Sequence, residues 1–84
     1  MFVYMKLQLI AFGIARDILK QRKLAVDLPE GSSIKSLKDF LVSEYPTFDE
    51  LAKLDFAINE EYVNDGYNLQ PGDEVVIIPP VSGG

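Results

Sequence analysis

The chain has 84 residues, 48% of them hydrophobic and 25% charged, a balance that fits one small globular domain spanning 1–84. It contains no cysteine and no histidine, which excludes disulfides, thiol nucleophiles, thiolate metal sites and the usual general base near neutral pH. A formal net charge of −5 argues against nucleic acid as a partner, since phosphate contacts need clustered Lys and Arg.

The opening stretch MFVYMKLQLIAF is interrupted by Lys6 and Gln8 in strand-like alternation. It therefore reads as an internal strand rather than a signal peptide, and no apolar run is long enough to cross a bilayer. No membrane partner is expected, and a cytoplasmic location follows as the default. Within it, Met5, Leu7, Leu9 and Ala11 share one face and Lys6, Gln8 and Ile10 the other, predicting a strand over 5–11. IARDILKQR follows, with Ile14 and Ile18 four apart and Leu19 beside them, as in a short helix. KLAVDLP alternates Leu24, Val26 and Leu28 and is closed by Pro29 and Gly31, predicting a second strand.

Ser32 and Ser33 are good N-caps for the next segment, in which Ile34, Leu37, Leu41 and Tyr45 recur at helical spacing. This is the main amphipathic helix, and Pro46 forces its end because the residue before a proline is pushed out of the helical region. TFDELAKL predicts a further helical turn, with Thr47 as cap and Phe48, Leu51 and Leu54 inward. FAINEEYV reads as one strand, and Asn64-Asp65-Gly66 as a tight turn. A Pro71-Gly72 turn then leads into a nearly unbroken apolar strand, Val75 to Ile78, of the kind that lies centrally in a sheet. The expected architecture is α+β, with a mixed sheet packed on one main helix.

Little of this resembles catalytic chemistry. Glu60-Glu61 and Asp73-Glu74 are adjacent pairs, and adjacent strand side chains point to opposite faces, so they read as solvated charge; Asp73 reads as turn chemistry. No acidic cluster has metal-loop spacing, and no glycine pattern for cradling phosphates is present. Lys20, Arg22 and Lys23 form the basic cluster, read as a solvated loop.

The segment that stands out is PPVSGG. Its plain reading is a frayed end. Against that, Pro79 and Pro80 favour an extended, polyproline-like exit from the last strand. Val81 and Ser82 follow, and Gly83 and Gly84 lack a Cβ, so a flexible functional tail over 79–84 can thread a slot too narrow for ordinary side chains. The reactive group it presents is the α-carboxylate of Gly84. A carboxylate donates its acyl group only after conversion to a mixed anhydride with AMP, which sulfide or an amine can then capture.

LQPGDEVVIIPPVSGG, FGIARDI with its Arg16-Asp17 pair, and Ala57-Ile58-Asn59 together resemble the small subunits of molybdopterin synthase, a family of ubiquitin-like sulfur carriers. The resemblance runs from Met5 onward and departs from many relatives in having Ile77 and Ile78 where they carry aromatics. It implies a ubiquitin-like β-grasp with an extended C-terminal diglycine tail. It also implies that an E1-like adenylyltransferase activates Gly84 with ATP and Mg²⁺, and that persulfide sulfur then replaces AMP to leave a thiocarboxylate. The tail would enter the synthase large subunit and give sulfur to cyclic pyranopterin monophosphate, in a heterotetramer whose large subunit does the catalysis. No stably bound cofactor is implied, only a transient AMP adduct and thiocarboxylate sulfur. Residue by residue, Gly84 is the carrier, Gly83 gives clearance, and Pro79, Pro80, Val81 and Ser82 are the lead-in. The second sheet face, with Ile10, Phe12 and Ile77 or Ile78 by parity, is the expected partner-recognition patch. The alternatives are a related carrier for thiamine synthesis or tRNA thiolation, and a ubiquitin-like protein modifier.

Overall fold

A computed structural model describes residues 3–51 and 53–80. In chain order it contains β1 (Tyr4–Ala11), α1 (Gly13–Leu19), β2 (Lys23–Pro29), α2 (Ile34–Glu44), a 3₁₀ turn (Pro46–Glu50), β3 (Asp55–Ile58), β4 (Glu61–Val63) and β5 (Glu74–Ile78). The strands form one mixed sheet in the order β2-β1-β5-β3-β4. Only the central β1/β5 pair is parallel. β5 thus occupies the middle of the sheet, where its apolar run was expected, with Val75 and Ile77 buried and Val76 and Ile78 partly exposed on the other face.

The core lies between one face of this sheet and α2. Alternation sends Met5, Leu7, Leu9 and Ala11 of β1 and Val75 and Ile77 of β5 into it, where they meet Ile34, Leu37 and Leu41 of α2. Burying each Met, Leu, Val or Ile among these contributes about 2 kcal/mol, so packing rather than intrinsic propensity holds the 11-residue helix. Ser33 starts α2 as expected, with its hydroxyl accepting from the Ser36 N–H and the Ser36 hydroxyl accepting from the Ser33 N–H. The helix ends before Pro46, which opens the 3₁₀ turn and brings Phe48 into the core; Leu51 and Leu54 pack partly against it. Thr47 lies within this turn and does not cap it.

Three expectations are corrected. FAINEEYV is a hairpin, not one strand: Asn59 and Glu60 both adopt positive φ, 53° and 67°, and reverse the chain between β3 and β4. Positive φ at both central residues is the type I′ geometry that matches strand twist. Secondly, the short helix forms as expected, but it buries Ala15 and Leu19, while Ile14 is 46% exposed. Two helical turns offer one narrow stripe to the sheet, and Ile14 lies off it. Thirdly, Ile77, a candidate for the recognition face, is fully buried in the core. It pairs with Ala11 and so shares that residue's side of the sheet; parity gives the opposite face to Ile78.

No helix among the described residues is long and apolar enough to cross a membrane.

Candidate functional site

The sheet face turned away from α2 carries an apolar row set by register. Ile10 is paired with Lys23 on one side and Val76 on the other, Val76 with Ala57, and Ala57 with Tyr62. Paired residues point to the same face, so Ile10, Val76, Ala57 and Tyr62 lie side by side across four strands. Ile78 extends the patch along β5, two residues on from Val76. Phe12 follows β1 at the same end and is 52% exposed, and Tyr62 is 69% exposed. Apolar side chains left this open on one contiguous face mark an interaction surface.

Of the sequence-derived candidates, Ile10 and Ile78 are half-buried members of this face, and Phe12 stands at its edge. Ile77 does not belong to it. Val76 and Tyr62 belong to it without having been singled out; Ala57 lies in the row but is buried. Val76 shares the parity of Ile78, which was signal enough. Tyr62 was hidden because Asn59-Glu60 lacks the glycine that usually marks a two-residue hairpin turn.

Pro79 and Pro80 leave β5 half-buried, beside the end of β1. Val81, Ser82, Gly83 and Gly84, the rest of the tail, lie outside the described residues. The chain thus runs from a strand clamped between two neighbours directly into the diproline. The strand's start is held differently. Gly72, at φ 84°, completes the Pro71-Gly72 turn; the Asp73 N–H donates to the Gln70 carbonyl at 3.1 Å, and Asp73 Oδ2 accepts from the Gln70 N–H at 2.9 Å. The Tyr67 hydroxyl donates to the same Oδ2 at 3.3 Å. Partial burial, and then the charge and hydrogen bond of Asp73, push the Tyr67 hydroxyl above the ordinary tyrosine value. Asp73 therefore works in the turn, as expected. Among the described residues no group of three or more acidic side chains is placed to hold a metal ion.

The ThiS family profile matches residues 9–84. The chain belongs to the ThiS family. Among similar proteins, the molybdopterin synthase sulfur carrier subunit of Arabidopsis thaliana is 35% identical over 94% of this chain and 83% of its own. That of Chlamydomonas reinhardtii is 34% identical over 95% of this chain and 100% of its own. A ubiquitin from Caldiarchaeum subterraneum superposes with a TM-score of 0.66, covering 98% of this chain and 100% of that one at 13% identity, which speaks to the fold alone. The fold of this ThiS family member is accordingly a ubiquitin-like β-grasp.

Proposed function

We propose that this protein is the sulfur carrier of molybdenum cofactor biosynthesis, the small, non-catalytic subunit of molybdopterin synthase acting in the cytoplasm. The observation that carries the reading is the placement of Pro79 and Pro80, which open PPVSGG, directly after the central strand, beside an open apolar face. It is supported by the sulfur carrier subunits that are similar over nearly the whole chain.

The chemistry runs through Gly84. Its carboxylate oxygen attacks the α-phosphorus of ATP on an E1-like adenylyltransferase, and pyrophosphate leaves. Persulfide sulfur then attacks the acyl carbon, AMP leaves with the electron pair of the broken C–O bond, and reduction of the S–S bond by a second thiol frees the thiocarboxylate. In the large subunit this sulfur passes to cyclic pyranopterin monophosphate, and water at the acyl carbon restores the carboxylate. The carrier's own residues position rather than catalyse. Pro79 and Pro80 aim the lead-in, Val81 and Ser82 continue it, Gly83 gives clearance, and the Ile10–Val76–Ala57–Tyr62 row with Phe12 and Ile78 docks on the partners.

Intact-mass analysis after incubation with the adenylylating enzyme, ATP and a sulfur donor tests the reading. The expected product has sulfur in place of one oxygen at Gly84, and deleting Gly84 abolishes it while leaving the thermal midpoint unchanged. Isopeptide bonds from Gly84 to lysines of other proteins would instead establish a modifier.

A further inference from the structure

The cations of this acidic chain are unevenly placed. Half of its eight Lys and Arg, namely Arg16, Lys20, Arg22 and Lys23, fall within 16–23, where Asp17 is the only acid. All four are exposed, and Arg16, Asp17, Lys20 and Arg22 line one shallow concavity with Gln21. Among the described residues the ion pairs are made elsewhere, by Lys35, Lys38 and Lys53 with Asp39, Asp65 and Asp55. The fold itself gains little from the cluster. Arg16 and Lys20 are one turn apart, a like-charge spacing that costs a few tenths of a kcal/mol. The helix dipole offsets this for those two but does not reach Arg22 and Lys23, which follow the helix.

The position of the cluster explains it better. The Ala11 N–H donates to the Arg22 carbonyl at 2.8 Å, and Ala11 pairs with Ile77, so Arg22 lies two strands from the end of β5. Two strand spacings are about 10 Å. Lys23 also begins the row that continues through Ile10 and Val76. The basic cluster therefore forms a shoulder beside the root of the tail and continuous with the apolar face. Six residues, 79–84, reach at most about 20 Å. A shoulder at the root cannot accompany Gly84 to the phosphates of ATP, and meets whatever surrounds the mouth of the slot that the tail enters.

We infer that Arg16, Lys20, Arg22 and Lys23 form a second docking element, which seats on a carboxylate-lined rim of the adenylylating enzyme, around the slot through which it receives the tail. The inference rests on the proposed function and adds to it the charge of the receiving surface. Four cations on a chain of net charge −5 are too few to hold a polyanion such as RNA, but suffice to orient the approach to an acidic patch. The orientation matters because the apolar row runs across four strands, while the shoulder marks one end of it.

The test compares two variants of the full chain with the same change in net charge. One is Arg16→Gln/Lys20→Gln/Arg22→Gln and the other Lys35→Gln/Lys38→Gln/Lys53→Gln, each checked for an unchanged circular dichroism spectrum. The readout is kcat/KM for adenylylation of the carrier against ionic strength. The shoulder variant is expected to lose about tenfold at low salt and most of its salt dependence, and the control variant about twofold or less. Equal losses in both, or none in the shoulder variant, would overturn the inference while leaving the tail chemistry standing. RNA retained by the wild type and not by the shoulder variant, with unchanged kinetics, would overturn it in favour of nucleic acid. A wild type that is never adenylylated would instead remove the proposed function, and the inference with it.

Discussion

The two ends of β5 are built on opposite principles. At its start the backbone is tied on every side. The Gln8 N–H donates to the Asp73 carbonyl, the Gly72 N–H to the Lys6 carbonyl and the Leu69 N–H to the Ser32 carbonyl, all at 2.9–3.0 Å. Ser33 and Asn68 form a bridge, and the Ile34 N–H donates to the Tyr67 carbonyl at 3.0 Å, so the N-terminus of α2 is fastened to the same loop. At its finish the strand passes into the diproline among exposed side chains, Phe12 and Ile14 on one side and the basic shoulder beyond them. The proposed delivery of the tail calls for one end of the strand to be fastened and the other to be left with fewer backbone ties. Proline contributes to that freedom directly, because Pro79 and Pro80 have no N–H to tie into a ladder.

If the division is real, equal truncations at the two ends have unequal consequences. Leu69→Ala, at the fastened end, removes a fully buried side chain and is expected to cost about 2–5 kcal/mol in urea denaturation. Phe12→Ala, at the free end, is expected to change stability by less than about 0.5 kcal/mol while weakening binding to the large subunit, read by calorimetry. Comparable stability losses in the two variants would erase the distinction.

A sharper version deletes hydrogen bonds rather than volume. Asp73→Ala withdraws the acceptor of the Gln70 N–H and the Tyr67 hydroxyl together. The expected loss is about 1–2 kcal/mol, with no effect on the rate at which the activating enzyme adenylylates the tail. A variant that kept its stability but lost activity would mean that the fastened end takes part in docking.

The two ends also differed in how openly the amino-acid sequence announced them. Turn chemistry is local, so Pro71-Gly72 and Asp73 named the fastened end, and Ser33 and Pro46 bounded α2. The apolar run of β5 placed that strand in the middle of the sheet, and the alternation of β1 gave its buried face. What stayed hidden depended on partners distant in the chain. Ile77 and Ile78 are both apolar, and which one faces the core is decided by register against Ala11, which no local pattern contains. Tyr62 belongs to the open face only through a hairpin turn whose residues, Asn59 and Glu60, carry side chains at positive φ. Arg16 and Arg22 look like unrelated charges of a helix and a loop until β1 brings them beside the tail root. The proposed tail chemistry was drawn from residue types alone, two prolines followed by small residues, of which Pro79 and Pro80 are among the described residues and 81–84 are not.

The smallest expected effect concerns the Tyr67–Asp73 pair, and it carries a sign that separates it from packing. At neutral pH, Tyr67→Phe removes one 3.3 Å hydrogen bond and should cost about 0.5 kcal/mol. The folded chain holds the Tyr67 hydroxyl above its ordinary value, through burial first and Asp73 second, so the unfolded chain releases that proton more readily. The stabilisation is whole below the ordinary tyrosine value of about 10 and is lost as the pH rises through the raised folded value. Phenylalanine has no proton to release. Urea denaturation at neutral pH and at successive steps above pH ~10 should therefore show the wild type's small advantage shrink. An advantage that stays constant with pH would mean that neither burial nor Asp73 holds the hydroxyl protonated, and that the fastened end of β5 depends on its backbone bonds.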